Sequence, residues 1–189
     1  MSRLARLTRA LAARSPAVAD PTGRREAAVA LIWAPDPEAL LLIRRAEHPA
    51  DPWSGQMGLP GGRRAEEDAD LLATAVRETL EEVGLDLSSA ALLGSLDDLA
   101  PTTQLLPAIL VRPFVFQVAG RPALSPNPEV AAARWVHLDS LLAPGAYDTY
   151  PVEARGFRLR RQGYRLPEGV VWGMTERILT PVLALFQED

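Results

Sequence analysis

Residues 60–85 read PGGRRAEEDADLLATAVRETLEEVGL, and the fold turns on how this stretch is read. A short strand candidate over 56–59 is stopped by Pro60-Gly61-Gly62; residues 67–83 then repeat with a helical period, and Gly84 is a good C-terminal stop. With Glu78 at zero on a wheel of about 100° per residue, Glu82 falls near 40° and Glu81 near 300°. Leu72, Val76, Thr79 and Val83 gather between about 100° and 160° on the same wheel, so the helix buries one stripe and projects three carboxylates from another face. Carboxylates this close penalise one another's ionisation, and a hard divalent cation such as Mg2+ or Mn2+ relieves the penalty with oxygen ligands. Arg77, four residues before Glu81, is placed to orient that carboxylate. Glu-rich helix faces are ordinarily just solvated. Three neighbouring features weigh toward chemistry here: glycines that let backbone approach a ligand, a helix start close behind them whose amides can face phosphate, and the tight Arg-Glu, Glu-Glu, Gly spacing.

Outward from this stretch, residues 27–33 and 39–43 are apolar runs joined by APDPE at 34–38, the pattern of strands around a turn. Further strands are expected over 91–96, 106–118 and 129–138, with Pro107 and Pro113 suggesting edges or bulges. Residues 17–25 and 48–54 read as loops. Helices are expected at both ends, over about 2–15 and 171–187, the second with Pro181 as a candidate kink. Strands in the middle with helices on their faces predict an α/β (α+β) fold in one domain, 1–189.

Composition narrows the function. Lys+Arg 20 against Asp+Glu 24 lacks the basic excess of a general nucleic-acid binder, so no nucleic-acid partner is expected. No apolar run is long enough to span a bilayer, and the Arg-interrupted residues 1–16 lack the apolar core of a signal peptide, so no membrane partner is expected. Cysteine is absent, which removes disulfides and thiolate chemistry and agrees with a cytoplasmic location.

Residues 62–85 resemble the Nudix box: Gly, five residues, Glu, seven residues, Arg-Glu, an apolar residue, one residue, Glu-Glu, one residue, Gly and an apolar residue. RETLEEVGL over 77–85 fits the second half, with Thr79 for the usual aliphatic residue. The first half is one residue longer than the common form and has Asp68 where Glu is expected, which is similar to the coenzyme A pyrophosphatase branch of the family. LLIRR at 41–45, GQMGLPGG at 55–62 and VWGMTERIL at 171–179 also resemble segments of that branch. Trp53 stands where the branch commonly has histidine, and TTQLL at 102–106 replaces its serine-glycine-phenylalanine turn.

The resemblance implies an α/β/α sandwich with a mixed β-sheet. It also implies Mg2+- or Mn2+-dependent attack of water on a diphosphate inside a small-molecule nucleotide. Glu78, Glu81 and Glu82 would hold the metal, and a backbone carbonyl of Gly61 or Gly62 can add a ligand. In the branch reading, coenzyme A is split into adenosine 3′,5′-bisphosphate and 4′-phosphopantetheine. ADP-ribose or another nucleoside diphosphate derivative is the rival substrate, and a non-catalytic Nudix-fold binding module the more distant rival; self-association as a homodimer is left open.

The remaining candidates carry competing readings. Glu129 is a further metal ligand or base, or an ordinary loop acid. Arg45 is a phosphate contact, or a strand-end charge. Trp53 covers a pantetheine arm or stacks on adenine, or packs under the loop at 51–52. Arg63 and Arg64 can steer anions but read as loop charges, His48 and His137 as structural or surface residues, and Trp172 as a core anchor.

Overall fold

The computed structural model describes the chain apart from residues 50, 52, 102–107, 155 and 188–189, and at 154 the backbone alone. In chain order the elements are α1 (Arg3–Ala12), β1 (Arg25–Ala34), β2 (Ala39–Arg45), β3 (Met57–Gly58), β4 (Gly61–Arg63), α2 (Leu71–Val83), β5 (Ala91–Ser95), β6 (Ile109–Gln117), β7 (Val130–His137), α3 (Leu138–Leu142), β8 (Tyr147–Ala154), β9 (Phe157–Leu166), β10 (Gly169–Trp172) and α4 (Met174–Ala184).

β1 and β2 are apolar almost throughout because both faces of their sheet are covered. Leu31, Trp33, Leu40 and Leu42 point to one side, into a core shared with Leu7 of α1, Leu138 and Leu141 of α3, and Leu179 and Leu183 of α4. Ile32, Ala34, Leu41 and Ile43 point to the other, against Val83 and Val76 of α2. The alternation is the two-residue period of a strand, and the result is helix, mixed sheet, helix. β1 runs parallel to β6 from Arg25↔Ile109 to Trp33↔Gln117, and the other pairings in this sheet are antiparallel. No described helix is long and apolar enough to cross a membrane.

One irregularity positions the site. β1 and β2 pair directly only beside their turn, at Trp33↔Leu40 and Ala34↔Ala39. Beyond that they part, β4 pairing with β1 and β3 with β2. Pro60 lies between the two inserted strands, and its carbonyl accepts from the Ala30 N–H at 2.8 Å. The pair of glycines that reads as the end of a strand is therefore the start of another.

Three further readings change. The box helix begins at Leu71 rather than at 67, because Asp70 caps it, accepting from the Ala73 N–H at 2.8 Å. Pro113 lies in an inner strand, between β1 and β5. Its carbonyl points toward the β5 side, accepting from the Leu96 N–H just past the end of β5, so the missing donor falls where that ladder stops and is tolerated. Residues 106–107, including Pro107, fall outside the described residues, as does TTQLL at 102–106. The closing helix starts at Met174, after Gly173 at φ 70, while Val171 and Trp172 belong to β10. Pro181 sits on the exposed side of α4.

Leu7 is the side chain by which α1 enters the main core, 1% exposed. Leu7→Ala is expected to lower unfolding free energy by about 2–5 kcal/mol, read as a shifted urea midpoint; an unchanged midpoint would mean that α1 is not part of the cooperative unit.

Candidate active site

The α2 carboxylates do not share one environment. Glu82 lies beside the buried stripe and is 2% exposed. Its Oε2 accepts from the Gly61 N–H at 2.9 Å, and its Oε1 is 3.4 Å from Arg45 Nη1. Glu78 is half-buried, with Oε1 3.0 Å from Arg77 Nη1. Glu81 has a side chain 53% exposed and receives Arg77 Nη1 at 2.9 Å. Thr79, expected at the edge of the apolar stripe, is fully buried; its hydroxyl donates to the Ala75 carbonyl at 2.7 Å, which removes the cost of placing it there.

Gly61 and Gly62 are required by close approach. Gly61 has φ 147, and a Cβ there would lie 2.2 Å from the Ala28 carbonyl oxygen. A Cβ at Gly62 would lie 2.4 Å from the Glu78 carboxyl carbon. The helix begins at Leu71 rather than directly after these glycines, and the Gly61 amide is directed to Glu82 rather than to a ligand.

Arg77 does more than orient Glu81. Its Nε and Nη2 donate to the two oxygens of Asp68, each at 2.9 Å, and Nη2 also reaches the Arg63 carbonyl at 3.0 Å. Asp68 is 7% exposed and accepts in addition from Thr74 Oγ1 and the Ala65 N–H. The guanidinium holds the Asp68 carboxyl well below the usual carboxylate range. The departure in the first half of the box is thus a buried ion pair, with the turn at 65–68 carrying the shorter acid to the arginine.

A cavity of about 710 Å3 opens where β1 and β2 part. It brings together Glu78, Glu82, Glu129, Arg45, Trp53, Gly61 and Gly62, while Glu81 and Arg77 are not in its wall. Burial pushes Glu82 up to about 7, against the Gly61 hydrogen bond and Arg45, with the charges of Glu78 and Glu129 adding to the rise. Burial also raises Glu78, against Arg77, with Glu81 and Glu129 adding. Among the described residues no three acidic or imidazole side chains are gathered as a ready-made cation cage. The site nevertheless fits a hard divalent cation: its donors are carboxylate oxygens whose charges oppose one another, and the missing Cβ of Gly62 lets the Glu78 carboxylate lie against the loop backbone.

Arg45 is aimed into the cavity by Asp51, whose Oδ2 accepts from its Nε at 2.8 Å. Asp51 was not foreseen as a site residue; an acid six residues after the arginine across a proline-rich loop leaves no periodic signal. Trp53 is half-buried, packed against Ala27, Ile109 and Val111, and lines the cavity together with them. Trp172 is half-buried and lines the cavity rather than anchoring the core; the fully buried tryptophan is Trp33. His48 and His137 are both exposed, with His48 at the cavity rim.

With this geometry in place, the comparisons converge. The family model for the NUDIX domain matches residues 23–155. The Nudix hydrolase NudL of Photorhabdus laumondii is 32% identical over 156 residues, covering 82% of this chain and 81% of that protein. A protein of Schizosaccharomyces pombe is 43% identical over 110 residues, a match covering 56% of this chain but 33% of that protein's length. Among solved structures, a MutT/nudix family protein from Enterococcus faecalis superposes with TM-score 0.59 at 16% identity, covering 93% of this chain and 66% of that chain. The NUDIX domain of Shewanella oneidensis NrtR, solved with ADP ribose, superposes with TM-score 0.52 at 20% identity, covering 66% and 81%. The chain belongs to the Nudix family. It is a Nudix hydrolase, of the class that acts on nucleoside diphosphate derivatives and generally uses divalent metal ions.

The Glu82 environment has a consequence for stability. In the folded, metal-free protein burial pushes its carboxyl up to about 7, whereas the unfolded one releases its proton near the ordinary value of 4.5. Stability is therefore lost as pH rises through this window, by on the order of 3 kcal/mol from this group. Urea midpoints in chelator at pH 4.5, 6 and 8 are expected to fall less steeply for Glu82→Gln than for the parent; parallel slopes would contradict the assignment.

Proposed function

We propose that the protein hydrolyses coenzyme A or acyl-coenzyme A at the diphosphate, releasing adenosine 3′,5′-bisphosphate and (acyl-)4′-phosphopantetheine. The observation that carries a diphosphatase site is the convergence of Glu78, Glu82 and Glu129 with Arg45 in one cavity floored by Gly61 and Gly62. The coenzyme A assignment is supported by the segments at 41–45, 55–62 and 171–179: Arg45, Gly61, Gly62, Trp172 and Thr175, which come from all three, line that cavity together.

In this reading Glu78 and Glu82 would hold Mg2+ or Mn2+ from inside the cleft, with Glu81 as a further ligand. When bound, the cation neutralises charge on the phosphoryl oxygens and makes water a better nucleophile at neutral pH. Arg77 fixes the Glu78 carboxylate through Nη1 and is itself held by Asp68. Arg45, steadied by Asp51, donates to a diphosphate oxygen. Glu129, exposed on the rim and close enough to raise both Glu78 and Glu82, accepts the proton of the attacking water at a carboxylate oxygen. Trp53 offers its cavity-facing ring to adenine. The whole chain, 1–189, acts as one domain, which the core shared by α1, the main sheet and α4 supports.

The test is kcat/KM for coenzyme A and ADP-ribose with magnesium, in the parent and in Gln variants of the three α2 glutamates. Coenzyme A is expected to be the better substrate, with chelation abolishing turnover. Glu82→Gln and Glu78→Gln are expected to lose about 100-fold or more, and Glu81→Gln less, without loss of fold. Preference of the parent for ADP-ribose would overturn the substrate; parent-like turnover by Glu82→Gln would overturn the site.

A further inference from the structure

The cavity that holds Glu78 and Glu82 adjoins a second one, of about 1380 Å3, between the loop after β2 and the three-stranded sheet β10-β9-β8. The two share Glu47, His48, Asp51, Gln56, Met57, Arg63 and Trp172 in their walls, so they are neighbours. The first, at about 710 Å3, lies within the range of roughly 300–1,000 Å3 typical of small-molecule sites. A compact nucleoside diphosphate sugar has no need of the second; a substrate that uses both extends well past its diphosphate.

The wall of the second cavity specifies the chemistry of that extension. Gly169, Val170 and Trp172 of β10 line it, and β10 is an edge strand, paired with β9 alone. Its other edge carries main-chain donors and acceptors with no strand partner among the described residues. Edges of this kind bind extended chains by adding them as a further strand, with main-chain hydrogen bonds for affinity and side-chain pockets for selectivity. Gly169, at φ 152, has no Cβ to narrow the passage beside Met57, whose Cγ would lie 3.5 Å from one. Val152, Val170, Met57 and Trp172 supply apolar contact, and Arg63 stands at the junction of the two cavities, where a phosphate at the end of an arm would lie.

We propose that this second cavity is the subsite for an extended, amide-bearing arm attached to the diphosphate, read by the free edge of β10 and by Val170 and Trp172. The inference rests on the diphosphatase reading and deepens it. A 4′-phosphopantetheine arm, linear with its amides in line, matches such an edge; the terminal ribose of ADP-ribose does not. Val170 is the specificity-determining position, being half-buried, on the wall of this cavity and not in the wall of the one that holds Glu78 and Glu82.

The experiment compares the parent with Val170→Trp, which fills the cavity beside β10, and with Val170→Leu, a smaller obstruction that keeps the test valid if the tryptophan variant folds poorly. Binding of 4′-phosphopantetheine and of adenosine 3′,5′-bisphosphate is measured by titration calorimetry with magnesium present, alongside KM and kcat for coenzyme A and ADP-ribose. Val170→Trp is expected to weaken 4′-phosphopantetheine and raise KM for coenzyme A by about tenfold or more, and Val170→Leu by about threefold. kcat for coenzyme A, adenosine 3′,5′-bisphosphate affinity and ADP-ribose turnover are expected to stay within about twofold of the parent. Efficient coenzyme A cleavage with an unchanged KM in Val170→Trp overturns the subsite and leaves the substrate reading standing. A parent that prefers ADP-ribose yet binds 4′-phosphopantetheine in a Val170-dependent manner overturns the substrate reading and supports the subsite. Absence of 4′-phosphopantetheine binding by the parent overturns the subsite outright.

Discussion

The hydrogen bond from the Gly61 N–H to Glu82 Oε2 joins the last turn of α2 to β4, and through β4 to β1. A buried carboxylate is tolerated only with hydrogen bonds and nearby positive charge, and here the partners are this amide and Arg45 at 3.4 Å. The amide is in reach because position 61 has no Cβ: any other residue would collide with the Ala28 carbonyl. That contact lets β4 press against β1, which holds β1 and β2 apart beyond their turn, and the cleft is the space this parting creates. One glycine therefore fixes both the position of a carboxylate and the opening it faces.

The rest of the electrostatic arrangement is built from paired opposites. Asp68 neutralises Arg77 from below while Arg77 reaches Glu78 and Glu81 above; Asp51 neutralises Arg45 on one side while Arg45 faces Glu82 on the other. Each guanidinium is fixed in direction by one acid, so its remaining donors meet the cleft carboxylates without conformational search. Within the cleft the balance still favours negative charge, since Glu129 raises the cost of ionising both Glu78 and Glu82, and Glu78 adds to that of Glu82. That surplus is what a hard cation offsets.

Legibility in the sequence followed the contrast between buried and exposed faces. β1 and β2 were readable because both faces of their sheet are covered and their apolar runs are unbroken; the end of α2 was readable because Gly84 takes φ 68. The second sheet gave no such signal: much of β9 is exposed and arginine-rich, so no alternation marks it. The last helix was read too early because Val171, a buried strand residue, continues the apolar pattern of α4 in phase. For the site, spacing puts Glu78, Glu81 and Glu82 on one helix face, yet a wheel cannot tell that Glu82 is buried and Glu81 exposed, since that depends on β4 arriving from outside the helix. Glu129 and Trp53 were weighed evenly against bland roles, and both stand in the cavity wall; Asp51 and the cleft role of Trp172 depend on loop and sheet geometry that no local pattern encodes.

The central claim is that the cation is held from inside the cleft, by Glu82 and Glu78, with Glu81 subordinate. Binding of Mn2+ followed by electron paramagnetic resonance, in the parent and in each single Gln variant, tests it directly because it needs no substrate. The account predicts Mn2+ affinity lowered by about tenfold or more in Glu82→Gln and Glu78→Gln, and less in Glu81→Gln. Parent-like affinity in Glu82→Gln, or the largest loss in Glu81→Gln, would contradict it.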